Sequence, residues 1–221
     1  MQVSLVSITK SCLPMGEQLT AEQLIVFIAR VSNPGNQLNH ETADKLISYL
    51  IKNKHWSPFE MVDMTVEIET SRGIAQQILR HRSFSFQEFS QRYSEATDME
   101  PIQLRKAGST NRQSSTEQFN PEIEANGNVW NADELIELHL KSANALYQQL
   151  LRAGVAKECA RFVLPITTQS KIYMKGSVRS WIHYLQIRCD EHTQLEHRQV
   201  AECIRVVFIE QFPNIATALG L

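Results

Sequence analysis

No glycine-rich phosphate loop occurs in the sequence. Neither the GxGxxG turn of a dinucleotide-binding unit nor a GxxxxGK[ST] loop is present among its 221 residues, which include only 8 glycines. A nucleotide would therefore have to be gripped by side chains and scattered amides. Cysteine is sparse: Cys12, Cys159, Cys189 and Cys203 stand apart with no CxxC pair. That excludes a disulfide framework and a cysteine-rich zinc site, and it points to free thiols in a reducing compartment. His192, Glu196 and His197 are the nearest approach to a metal cluster, but a zinc site wants three or four converging ligands and neither HExxH nor a Cys/His ligand spacing is present, so no metal is expected. A GxSxG elbow is also missing.

Excess charge of one sign is absent too. The 22 basic and 24 acidic residues leave a net charge of −2, which excludes a polycation built to coat nucleic acid. No apolar run approaches the eighteen or so residues of a membrane span, and MQVSLVSITK alternates like a strand rather than a signal peptide. The expected location is the cytoplasm, with no membrane association.

The length suits one domain over 1–221. Residues 2–9 predict a strand, and Thr20 with Gln23 predicts a capping box opening a helix that stops at Asn33-Pro34-Gly35. A second helix is expected at 41–53. Val62, Met64, Val66 and Ile68 alternate with Asp63, Thr65, Glu67 and Glu69, the pattern of a strand with one wet face. Ser71 is expected to cap a short helix to about Leu79. From about 95 to 130 the chain is polar and aperiodic, predicting a long loop or lid or else a disordered insertion. Helices are expected at 132–152, 155–163, 177–191 and 194–211, with a strand in ITTQSKIYM between the second and third. The class is α+β: a small, mainly antiparallel sheet packed with several long helices.

RHRSFSFQEFS, residues 80–90, does not read as ordinary scaffold. A helix from Ser71 would set Gln77, Arg80 and His81 on one face, at i, i+3 and i+4. Arginine forks grip phosphate bidentately, and Arg82 and Arg92 extend the set. A solvated basic face would look similar. Arginines interleaved with Phe84, Phe86 and Phe89 also fit a single-stranded nucleic-acid binding module, although that phenylalanine spacing is more often core. On the helix from Ser177, Val178, Trp181, Ile182, Leu185 and Cys189 form an apolar stripe. Arg179, His183, Gln186 and Asp190 lie on one flank, and Arg188 lies on the other with Tyr184 and His192. Two arginines on opposite flanks can hardly serve one small anion: either one is structural, or the helix contributes to two sites, as at a symmetric subunit interface. His55 and Glu60 fall in a polar helix-to-strand connection, where each could equally be ordinary surface.

Arg80-His81-Arg82 followed by seven residues and Ser90 resembles the signature of flavin-dependent thymidylate synthases. IARVSNP (28–34), HWSPFE (55–60), SRGIAQQILRHR (71–82), AKECARFVLP (156–165) and VRSWIHYLQIRCDEHTQLE (178–196) carry the resemblance along nearly the whole chain. It implies reductive methylation of dUMP to dTMP, with methylenetetrahydrofolate as carbon donor and FAD reduced by NADPH as hydride carrier. It also implies a homotetramer with sites between subunits, and no nucleic-acid partner. By resemblance, Ser32, Ser57, Glu60, Arg80, His81, Arg82, Ser83, Arg179, His183, Ile187 and His192 contact flavin. Gln77, Glu88, Ser90, Gln91, Arg92, Arg161 and Arg188 contact dUMP, and His55 lies near flavin and folate. Arg188, Ser90 and His55 are the candidate catalytic residues: Arg188 stabilises charge on the uracil ring, while Ser90, with no base beside it, binds. Gln87, Ser177 and His183 stand where many members have asparagine. A non-catalytic nucleotide-binding homologue would keep the same arginines.

Overall fold

The computed structural model describes residues 1–13, 18–95, 98–109 and 115–221. A four-stranded sheet has the order β1 (Gln2–Ile8), β2 (Asp63–Ser71), β8 (Gln169–Ser177), β3 (Ser85–Glu88). Met64, Val66 and Ile68 on β2 and Ile172 and Met174 on β8 are fully buried. The opposite face of β2 is half-buried rather than wet, because lysines of β8 lie over its carboxylates, Lys175 on Asp63 at 2.8 Å and Lys171 on Glu69 at 3.0 Å. The α+β class read from the sequence is the one observed.

The described residues form two compact units. Met1, Glu69–Gln77 and Glu88–Lys171 make the first, and Gln2–Ile68, Ile78–Gln87 and Ile172–Leu221 the second. In the second unit, α1 (Ala21–Ala29) opens with the predicted capping box: Thr20 Oγ1 accepts from Gln23 N and Gln23 Oε1 accepts from Thr20 N. Past its end, buried Arg30 donates to Asn36 O and Asn39 O and to Thr42 Oγ1, fixing the connection to α2 (Ala43–Lys52). Further on come α6 (Val178–Arg188), α7 (Leu195–Gln211) and α8 (Pro213–Leu219). Trp181 of α6 is fully buried and donates its Nε1 to Met64 O at 3.0 Å, pinning the helix to β2. The sequence does not foretell α8. Its first amides are satisfied from far away, by Glu22, which accepts from Ile215 N at 2.7 Å and from Asn214 Nδ2 at 2.8 Å.

The first unit contains α3 (Arg72–Ile78) as far as Gln77, α4 (Ala132–Arg152) and the short α5 (Lys157–Ala160), which passes into a 3₁₀ turn at Arg161–Val163 rather than the single helix expected over 155–163. The expected 95–130 loop is corrected by two antiparallel hairpins. β4 (Arg105–Ala107) pairs with β5 (Ser115–Gln118), and β6 (Glu122–Ala125) pairs with β7 (Asn128–Asn131). Asn126 and Gly127 join the second pair at φ values of 55° and 76°, the positive-φ turn that suits a two-residue hairpin. Residues 96–97 and 110–114 of the expected loop lie outside the described residues. Among the described residues, no helix is long and apolar enough to cross a membrane.

Candidate active site

α3 stops at Ile78, so Arg80 and His81 do not continue a helical face with Gln77 as the spacing suggested. The chain turns instead, with His81 N bonded to Ile78 O and Phe84 N to His81 O. This seats Phe84 against β8 at Gly176, where an added Cβ would lie 2.4 Å from Phe84 Cδ1; only glycine leaves that space. Phe84 is buried and packs edge-on against Trp181 at 4.6 Å, while Phe86 and Phe89 are half-buried. None of the three is an exposed platform for a nucleic-acid base.

The turn separates the three basic residues. Arg80 and Arg82 are exposed and make no hydrogen bond among the described residues. His81 turns inward and accepts from Arg188 Nε at 2.9 Å through its own Nε2. Burial first, then the charges of Arg188 and His183, hold the His81 ring neutral down to about 4. An acceptor Nε2 places the ring's proton on Nδ1. Arg188 spends its Nε on this bond, and its two Nη groups make no hydrogen bond among the described residues.

Behind His81 lies a buried pair. Tyr184 of α6 and His197 of α7 are both fully buried and share a hydrogen bond of 3.1 Å between Oη and Nε2. Burial drives His197 down to about 3, helped by Arg188 and His81, and raises the Tyr184 hydroxyl. Both remain neutral at working pH.

The other flank of α6 lines a cleft of about 740 Å³ together with Trp56, Glu60, Ser83, Ser85 and Lys175. Arg179, His183 and Gln186 face it, as the helical wheel predicts. Ser177 caps α6 by accepting from Ser180 N, and it donates its hydroxyl to Glu60 Oε2 at 2.8 Å. Arg179 Nη1 donates to Glu60 Oε1 at 2.6 Å. The Ser177 hydrogen bond, then Arg179, hold the Glu60 carboxyl below its usual range. Ser180 donates to Ser83 O at 3.2 Å, tying the turn after His81 to the helix. The cleft therefore carries two ion pairs, Glu60–Arg179 and Asp63–Lys175, with hydroxyls between them.

Other predicted residues of this unit lie elsewhere. Ser32 is exposed; His55 is exposed, edge-on to Tyr49 at 5.9 Å; Ser57 begins the 3₁₀ turn Ser57–Glu60. Ile187 is exposed, and its carbonyl accepts from Thr193. His192 is exposed and paired with Asp190 at 2.7 Å.

In the first unit, Gln91 is buried; its Oε1 accepts from Arg72 Nη1 at 2.7 Å while its Nε2 has no partner among the described residues. Glu88 accepts from Ser170 at 3.1 Å. Ser90 Oγ accepts from Arg92 N at 3.4 Å, and no base is bonded to it. Arg92 pairs with Glu158 at 3.3 Å, and Arg161 donates to Glu158 O while lying over the Phe162 ring. Gln77 is half-buried.

Residues 16–214 match the family model described as thymidylate synthase complementing protein. A flavin-dependent thymidylate synthase of Synechocystis sp. is 47% identical over 225 residues, 99% of each chain. The chain belongs to the flavin-dependent thymidylate synthase family. A probable flavin-dependent thymidylate synthase of Paramecium bursaria Chlorella virus 1 is 48% identical over 221 residues, again covering 99% of each. Among solved structures, a UMP/dUMP methylase from Streptomyces cacaoi, crystallised with 5-Br dUMP, superposes with a TM-score of 0.79 at 26% identity, covering 99% of this chain and 94% of that one.

In this member of the flavin-dependent thymidylate synthase family, three features escaped the sequence reading. Lys175 lines the cleft from a strand whose alternation gave no functional signal. Ser180 attaches α6 to the turn at Ser83, one helical turn beyond the cap that could have flagged it. The Tyr184–His197 bond joins positions on two helices, and no local pattern links them.

Proposed function

We propose that this chain reductively methylates dUMP to dTMP, taking the carbon from methylenetetrahydrofolate and using FAD reduced by NADPH as hydride carrier. Family membership and the likeness to a UMP/dUMP methylase support the reading. The observation that carries it within the molecule is Arg188, fixed through Nε by a neutral His81 and left with two Nη groups for a ligand.

The residues present fit a flavin dinucleotide. A cleft of about 740 Å³ is of ligand size, and it offers Arg179, Lys175 and several hydroxyls to a diphosphate and Trp56 to a ring. Arg80 and Arg82 add two outward guanidiniums, and His81, Ser83, Ser57, Glu60, His183, Ile187, His192 and Ser32 complete the proposed flavin set. Bound flavin supplies hydride transfer, which no side chain of this chain can perform. The protein's own part is positioning and electrostatics. Carbon 5 of uracil must be electron-rich to take up the one-carbon unit, and the Arg188 Nη donors would stabilise the negative charge that develops on the ring and its carbonyls to make it so. Gln77, Glu88, Ser90, Gln91, Arg92 and Arg161 are proposed to bind dUMP. Ser90 acts as a binding hydroxyl, since activation as a nucleophile would need a base beside it. His55 is proposed to lie near flavin and folate. The proposed assembly is a cytoplasmic homotetramer with sites at subunit interfaces.

An absorbance spectrum of the purified protein tests the cofactor assignment. The expected result is a flavin spectrum that NADPH bleaches anaerobically and that recovers only when dUMP and methylenetetrahydrofolate are both added. A colourless protein that takes up no FAD would overturn it. Bleaching without dTMP formation would establish the non-catalytic homologue instead.

A further inference from the structure

We propose that Tyr184 and His197 are positioning residues for Arg188, acting through the ring of His81. The inference rests on the reading of Arg188 as a dUMP contact and assigns the groups that aim it.

The geometry forms a chain of four side chains. Arg188 and Tyr184 lie one turn apart on α6, and His197 reaches them from α7. Arg188 Nε bonds His81 Nε2 at 2.9 Å. The His81 ring stands at 70° to Tyr184 with centroids 4.9 Å apart, and at 86° to His197 at 6.2 Å. Tyr184 is itself held by its hydroxyl on His197 at 3.1 Å. A guanidinium that works through its Nη groups needs its plane fixed. The Nε bond fixes that plane only while His81 presents a bare Nε2 in one orientation, and His81 has the Tyr184 and His197 rings to pack on.

Filling space does not require this pair. Apolar residues of similar volume would pack between α6 and α7 without the desolvation that a buried hydroxyl and imidazole incur. What a satisfied buried polar pair adds is one defined orientation.

The test uses the FAD-loaded protein, with dUMP titrated calorimetrically and FAD affinity and melting temperature measured alongside. Tyr184→Phe keeps the ring and removes the hydroxyl. The expected result is a dUMP dissociation constant raised about tenfold, the loss of one well-formed bond expressed in binding. His197→Gln with Tyr184 intact, which keeps an acceptor for the hydroxyl, binds dUMP nearly as tightly as the native protein. In an Arg188→Lys background, which lacks the Nε donor, Tyr184→Phe adds no further loss. If Tyr184→Phe does not fold, His197→Leu reads the same bond from the other side.

A lowered melting temperature with unchanged dUMP affinity would overturn the proposal, as would an equal loss in the native and Arg188→Lys backgrounds. A native chain that binds FAD but not dUMP would overturn the reading of Arg188 itself, an outcome visible before any variant is made.

Discussion

Arg188 Nε donates to His81 Nε2 at 2.9 Å, so the histidine at the centre of Arg80-His81-Arg82 faces inward while both arginines face out. One short run thus divides its labour. The arginines stand in solvent, and the histidine bonds the late helix.

Acid sensitivity follows from the two buried histidines. His81 and His197 are held at about 4 and about 3, below the ordinary 6.5. As pH falls below 6.5 the unfolded chain takes up protons that the folded chain refuses, so stability falls. Each histidine should contribute a loss of about 1–2 kcal/mol by pH 5. Glu22, whose carboxyl burial raises, works in the opposite direction nearer the carboxylate range. Urea unfolding at pH 7 and pH 5 checks the balance, and Tyr184→Phe/His197→Leu should show a shallower dependence.

Gly176→Ala should destabilise by about 1–3 kcal/mol, the usual cost of overpacking. The new Cβ would meet Phe84 Cδ1 and Cε1 at 2.4 and 2.5 Å, and Phe84 is buried and already packed edge-on against Trp181 at 4.6 Å. Thermal melting measures the loss, and Phe84→Leu in the same chain should recover part of it.

Arg179→Ala should weaken FAD binding about tenfold or more, since a charge-assisted contact to phosphate is lost. Its bridge to Glu60 is solvent-exposed on both sides, so stability should change by no more than about 0.5 kcal/mol. Fluorescence titration of FAD beside a melting curve separates the two effects.

Cys189→Ser should keep its turnover. Burial and Glu202 push the Cys189 thiol up to about 11, so at neutral pH it is not the thiolate that nucleophilic catalysis requires. Comparing initial rates of dTMP formation decides the matter; an inactive variant would restore a thiol mechanism.

The parts of the fold legible in the sequence were those written in local periodicity. The β2 alternation and the Thr20–Gln23 box are each complete within a few residues, and both elements form, although the face of β2 expected to be wet is half-buried. The hairpins at 105–131 were missed because their strands are mostly exposed, so no apolar alternation marks them; Asn126-Gly127 was the one signal, and it lay inside a polar run. α8 depends on Glu22, almost two hundred residues away. The site divides in the same way. The wheel of α6 correctly put Arg179, His183 and Gln186 on one side, because a helix face is a local property. The partnership of Arg188 with His81, and of Tyr184 with His197, was illegible, because those spacings are created only when the turn at 79–84 and α7 fold against α6.

The most direct test of the account is dTMP formation by native protein and by Arg188→Ala, each saturated with FAD and supplied with NADPH, dUMP and methylenetetrahydrofolate. The account predicts that native protein makes dTMP, while the variant keeps its flavin spectrum and its bleaching by NADPH but makes none. A variant that loses its flavin, or one that still makes dTMP at the native rate, would contradict the role given to Arg188; native protein that makes no dTMP would contradict the function.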